Sequence, residues 1–175
     1  MRSFLQTIQN IFRIEELRKR IISTILILIV VRIGSFITLP GIDVSLLNVV
    51  NKSDANNLFG LFDLFVGGAF SNAAIFALGV MPYITASIIL QLGGIVIPEI
   101  QKMQREGEEG RRKINQYTRF GTVIISALQG WGVSVRLINM EANGLPVVAE
   151  SGIIFTMTTI ILLTAGTMFL MWLGE

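Results

Sequence analysis

Residues 58–97 read LFGLFDLFVGGAFSNAAIFALGVMPYITASIILQLGGIVI, and the only charged residue among them is Asp63. The first part, 58–70, is strongly apolar but too short to cross a bilayer. It is expected to form a re-entrant or interfacial half-helix, with Gly67-Gly68 letting the backbone turn sharply near its end. The second part, 71–97, is long enough to span and stops at Pro98. Pro82, near its middle, is expected to kink it, because the ring removes one backbone hydrogen bond and crowds the preceding turn. Thr85, Ser87 and Gln91 then need polar partners at membrane depth. Interrupted helices are tolerated there only where they line a cavity or pack inside protein. The half-helix followed by a polar-lined span therefore points to a pathway through the membrane, or else to an ordinary kinked helix in a bundle.

Working outward, residues 21–39 (IISTILILIVVRIGSFITL) form the expected first span. At 1.5 Å per residue it reaches roughly 28 Å, enough for the hydrocarbon core. Pro40-Gly41 is expected to close it. A cleaved signal peptide is the competing reading, but the segment lacks a small-residue cleavage site and further spans follow. Upstream, 1–20 places Phe4, Leu5, Ile8, Ile11 and Phe12 on one helical face and ends in Arg18-Lys19-Arg20. Such a helix lies on the membrane surface or packs on a partner protein. Residues 40–57 are polar enough for an external loop. Downstream, the expected order is a charged connection over 98–119, a third span over 120–138, an external loop over 139–151 and a fourth span over 152–173.

The composition fits this reading. Of 175 residues, 52% are hydrophobic and 15% charged, well below the roughly 25% charge of a soluble domain, and the charges cluster between the apolar runs. Mean hydropathy is +0.67. The chain has no cysteine and no histidine. That excludes disulfides, the usual thiolate and imidazole metal sites, and nucleophile–histidine pairs. No phosphate-loop, dinucleotide, zinc-protease or calcium-loop motif is present, so no catalytic residue, metal ligand or cofactor site is expected. A pI near 9.3 could suggest nucleic-acid binding, but the basic residues sit beside apolar runs, where topology accounts for them. Arg2, Arg13, Arg18, Lys19 and Arg20 precede the first span. Lys102, Arg105, Arg111, Arg112, Lys113 and Arg119 follow the second. The excess of lysine and arginine on these segments places both termini and the 98–119 connection in the cytoplasm.

Within 71–97, Val80, Ile84, Ser87 and Gln91 recur at helical spacing, apolar at one end of the stripe and polar at the other. An apolar collar above a polar vestibule would restrict water while letting a chain pass. A helix–helix contact is the commoner fate of such spacing. Arg32 lies more than halfway along the first span, so it is either a functional charge or one that snorkels or pairs structurally. Asp63 caps or orients the half-helix, or faces water.

The stretch GGAFSNAAIFALGVMPYITASIILQL (67–92) resembles the signature around the second transmembrane helix of the SecY family of protein-conducting channels. RIGSFITLPGID (32–43), REGEEGRRKINQYTRFGT (105–122) and GTMFLMWLGE (166–175) also resemble the family, in the same order. The resemblance implies an all-α, multi-spanning membrane helix bundle with a re-entrant plug. Leu58, Phe59, Leu61, Phe62, Leu64, Phe65, Val66, Gly67 and Gly68 match that plug. Val80 and Ile84 match the hydrophobic pore ring, with valine at 80 replacing the commoner isoleucine and leaving a slightly wider constriction. Thr85, Ile89, Gln91, Thr122 and Gln129 match the lateral gate, where signal sequences leave for lipid. Arg105, Arg111, Arg112 and Lys113 match a cytoplasmic loop near the docked motor or ribosome.

The same resemblance implies the SecE and SecG subunits, the SecA motor ATPase, the ribosome and signal-bearing polypeptides as partners. It also implies a bacterial plasma membrane location, with no enzyme activity and no direct nucleic-acid binding by this segment. Family members have ten spans, so the four expected here are not expected to conduct alone. A small-molecule secondary transporter and a four-span scaffold without a pore are the alternative classes. The transporter would favour an ionisable residue facing the pathway at mid-membrane, and 71–97 has none.

Overall fold

The computed structural model describes residues 14–47, 50, 63–64, 66–142, 144–149 and 152–175. The expected N-terminal surface helix lies almost wholly outside the described residues, as do Leu58, Phe59, Leu61, Phe62 and Phe65 of the half-helix. Helix α1 runs Glu15–Gly34. It begins earlier than the expected span because Glu15 and Glu16 occupy its first turn, where the helix dipole favours acids. They pair one turn on with Lys19 (3.0 Å) and Arg20 (3.5 Å), which draws the basic cluster into the helix. Both pairs are well exposed and contribute little to stability.

α1 also ends early, at Gly34 rather than before Pro40. A Cβ on Gly34 would lie 1.9 Å from the Phe76 ring, so only glycine lets that ring seat against the helix end. Beyond it the chain extends. Ile75 N–H donates to the Ile37 carbonyl and Leu39 N–H to the Ala73 carbonyl, each at 3.0 Å. This pairing, rather than helix, is what residues 37–39 adopt.

The same pairing overturns the expected helix over 71–80. These residues form a chain of turns, and with Ala69 they supply small side chains that are almost fully buried: Ala69, Ala73, Ala74 and Ala77 are each 2% exposed or less. Gly67, Gly68, Ala73 and Gly79 all take positive φ, which no helix allows. Local hydrogen bonds such as Ala74 N–H to Ala69 O (2.8 Å) and Gly79 N–H to Phe76 O (2.9 Å) satisfy the backbone. A Cβ on Gly166 would lie 2.1 Å from the Ile75 carbonyl oxygen, so the segment threads tightly past α5, the helix Ile153–Gly174. Irregular backbone is stable at such depth only when buried in protein, as here.

Helix α2 is Met81–Val96, so Pro82 begins a helix instead of kinking one. Its missing N–H falls where the helix has no acceptor for it. At Ile97 the chain bends by 102° into α3, Pro98–Arg105. Ile97 is extended, as a residue before proline prefers. Helix α4 then runs Glu108–Ile138, so the expected charged loop is instead α3 and the first turns of α4.

Thr118, Thr122, Ser126, Gly130 and Ser134 form the buried stripe of α4. Gly121 approaches Ala86 of α2, with a Cβ there 3.5 Å from Ala86 Cβ. At Gly130 a Cβ would stand 3.4 Å from Ile160 Cα of α5. Small residues let these helices touch closely, and the hydroxyls of Thr118, Thr122 and Ser126 bond back to their own helix, as Thr122 Oγ1 does to Thr118 O (2.7 Å). Between α4 and α5 a hairpin of β1 (Glu141–Ala142) and β2 (Leu145–Pro146) covers one end. There Val147 and Val148 pack with Leu39, Leu47, Ala73, Leu137 and Phe155, so the segments read as two separate external loops share one apolar core. Asp43 stands at its edge; hydrogen bonds from the Ser45 hydroxyl, then the Ser45 and Leu46 amides, hold its carboxyl below the usual aspartate value.

Among the described residues the architecture is all-α apart from this hairpin and isolated bridges. Among the described residues, α4 and α5 are each long and apolar enough to cross a membrane, and α2 with α3 qualify only when joined across their bend. The apolar run of α1 lies between Arg20 and Arg32, and its side chains are largely exposed.

Candidate functional site

A cavity of about 410 Å³ opens where three parts of the chain meet. Ile27 and Val31 of α1 with Ser35 just after it form one wall, and Leu170 and Leu173 of α5 another. The third wall is Val66, Phe76, Gly79, Val80, Met81 and Ile84. Apart from Ser35 and backbone groups the lining is hydrocarbon, so water gains little by entering.

The backbone change at residues 79–81 sets this wall. Gly79 takes φ +55, Val80 is the N-cap of α2, and Ile84 follows in its first turn with its amide bonded to the Val80 carbonyl at 3.1 Å. Both side chains thus stand at the start of a helix, one turn apart, and remain about 45% exposed. Val66, at the end of the half-helix, points across: its Cγ1 would contact a Cβ on Gly79 at 3.4 Å. The structure therefore gathers residues matched to plug and pore ring around one apolar space.

The half-helix has two polar ties. Asp63 accepts hydrogen bonds from the Ser71 amide (2.9 Å) and from the Ser71 hydroxyl, closing the turn on itself. Arg32 Nη1 donates to the Gly67 carbonyl at 2.7 Å, and its guanidinium carbon lies 4.8 Å from the Phe36 ring centroid. Nearby, Arg136 lies 5.4 Å from the Phe70 ring.

The residues matched to the lateral gate do not stay together. Thr85 and Ile89 share a face of α2, but Gln91 lies with Ile84 and Ser87 and bonds Ser87 Oγ at 3.0 Å. Thr122 is fully buried in the helix packing of α4. Gln129, two turns further along α4, is half-buried. Arg105 closes α3, while Arg111, Arg112 and Lys113 lie on the first turns of α4, all exposed. Sequence reasoning missed Phe76, which seals the cavity floor, stacks on Phe169 at 5.8 Å and fills the space left by Gly34. Its periodicity matched a helix that does not exist. Among the described residues no cluster of three or more acidic side chains could hold a metal ion.

Comparison with known proteins agrees with this geometry. The SecY family model matches residues 74–175. Protein translocase subunit SecY of Rickettsia typhi is 48% identical over 160 residues, covering 91% of this chain and 37% of the relative. The Escherichia coli K12 subunit is 48% identical over 161 residues, covering 91% and 36%. That of Buchnera aphidicola subsp. Acyrthosiphon kondoi is also 48% identical over 161 residues, covering 91% and 45%. The chain thus spans less than half the length of these relatives. A family model matching more than half the chain and relatives identical at nearly every second position lead to one conclusion: this membrane protein belongs to the SecY family.

Proposed function

We propose that this chain forms part of the pore subunit of a Sec-type protein translocase, which passes unfolded polypeptides across the membrane and releases apolar segments sideways into it. The observation that carries the reading is the meeting of Val66, Gly79, Val80 and Ile84 around one apolar cavity. Hydrophobic constrictions gate by dewetting, and branched side chains at a helix start can yield around a passing chain without bonding to it. The role requires no covalent chemistry. The chain sits in the bacterial plasma membrane, with α3 and the start of α4 on the cytoplasmic side near the SecA motor or ribosome. SecE and SecG complete the assembly. Half-buried Thr85 and exposed Ile89, on one face of α2, are the remaining lateral-gate pair, and α1 serves as a span despite its charged ends.

The test is Val80→Ser with Ile84→Ser in the full-length protein, reconstituted in planar bilayers. Resting ion conductance per inserted channel should rise by at least about tenfold as the collar wets. Unchanged conductance in well-inserted double mutant would overturn the pore assignment.

A further inference from the structure

We propose that Arg32 is a positioning residue that latches the half-helix in its resting place; this rests on the plug reading of residues 63–68. Arg32 stands in the last turn of α1, where an ionised side chain needs a partner at membrane depth. Its partner is the Gly67 carbonyl, at 2.7 Å. Gly67 and Gly68, with φ of +67 and +85, end the half-helix, and a carbonyl at a helix end has no donor in its own helix. The bond therefore answers two needs at once, the arginine's charge and the half-helix's terminal carbonyl.

The surroundings fit a latch better than a fixed strut. The Asp63–Ser71 bonds tie the half-helix to residue 71, at the start of the segment that follows it in sequence. Arg32 instead comes from α1, whose end is keyed to the buried segment at Gly34. Its contact with Gly67 is exposed, and in the engaged position the guanidinium also lies 4.8 Å from the Phe36 ring centroid. On release the long side chain can snorkel to the outer interface without leaving a buried charge unpaired. Release and re-engagement are therefore both accessible, while Val66 moves away from Gly79.

The experiment uses a full-length protein, otherwise free of cysteine, with Val66→Cys as reporter at the cavity wall. Arg32→Leu is introduced because removing a charge from a membrane helix does not hinder its insertion. In the resting state, modification of the thiol by a small water-soluble maleimide should accelerate at least about tenfold, the scale of losing one charge-assisted hydrogen bond. Arg32→Lys, which keeps one donor, should recover much of the protection. An unchanged modification rate in inserted Arg32→Leu protein overturns the latch, whatever happens to stability or abundance. A rise that Arg32→Lys does not reduce assigns the effect to lost packing and equally overturns it. Resting conductance is read in parallel. Faster modification without greater conductance supports the latch and counts against the channel reading, so the two fail separately.

Discussion

At the scale of single residues, the positions that matter most are those where an absent side chain lets another part of the chain in. A Cβ at Gly34 would stand 1.9, 2.3 and 2.7 Å from three atoms of the Phe76 ring. The ring cannot withdraw, since it is 5% exposed and stacked on Phe169. Gly34→Ala should therefore cost about 1–3 kcal/mol, the range for overpacking a close-packed interior. Phe76→Leu alone loses the stacked ring. The double mutant should fit better than the sum of the two, with a coupling of about 1 kcal/mol, read as thermal unfolding midpoints of the full-length protein in detergent. Strict additivity would mean that Gly34 and Phe76 do not share this space. Gly166 allows no such rescue, because its neighbour at 2.1 Å is the Ile75 backbone. Inside a membrane, close packing of this kind replaces much of the hydrophobic drive that holds soluble cores.

At the scale of elements, two glycines at the α3–α4 corner separate conformation from space. Gly107 takes φ +71 with nothing within 4 Å of a Cβ, whereas Gly110 is helical but would place a Cβ 1.7 Å from the Met103 carbonyl oxygen. Gly107→Ala should cost about 1–2 kcal/mol of backbone strain and leave the elements in place. Gly110→Ala should push α3 off α4, lengthening the spin-label distance between Gln101 and Gln116, and an unchanged distance would show that the corner can absorb a methyl. What the sequence made legible follows the same division. α5 runs Ile153–Gly174 where 152–173 was expected, because an uninterrupted apolar run bounded by polar residues has one reading. Residues 71–80 were illegible because alanine, phenylalanine and leucine at helical spacing look like a helix. Their real partner, Ile37–Leu39, lies far away in sequence. Pro82 fits a kink or a start equally well until the residues before it are known to be irregular. For the site, the resemblance pointed to Val80, Ile84 and Val66, and helical spacing already set Gln91 with Ile84 and Ser87, but only the packing shows that Thr122 is buried.

Across the whole molecule, charge and packing divide between the ends. Arg18, Lys19 and Arg20 open α1, while Arg105, Arg111, Arg112 and Lys113 crowd the α3–α4 corner. Arg119 joins α4 to the last residue after α5, bonding Glu175 through Nε at 3.0 Å and Nη2 at 2.6 and 2.5 Å. The hairpin end is built differently: Val147, Val148, Leu137 and Phe155 make an apolar core, and Arg136 is the basic residue beside it. Short segments rich in lysine and arginine stay on the cytoplasmic side, and neighbouring acidic residues do little to offset that bias. The corner should therefore face the cytoplasm even though Glu106, Glu108 and Glu109 lie within it. The chain has no cysteine, so single cysteines can report each side without background from these residues. In intact cells stripped of any outer membrane, Glu141→Cys on the hairpin should react with an impermeant maleimide. Gln104→Cys, at the end of α3, should react only after the membrane is opened. Because Gln104 packs against Gly94, Lys102→Cys on the exposed side of α3 serves as a second reporter that cannot be silent through burial. If either α3 cysteine reacted in sealed cells as readily as the hairpin cysteine, the orientation would be reversed. The cavity beside Val80 and Ile84 would then open toward the opposite side of the membrane from the one the proposed pore requires.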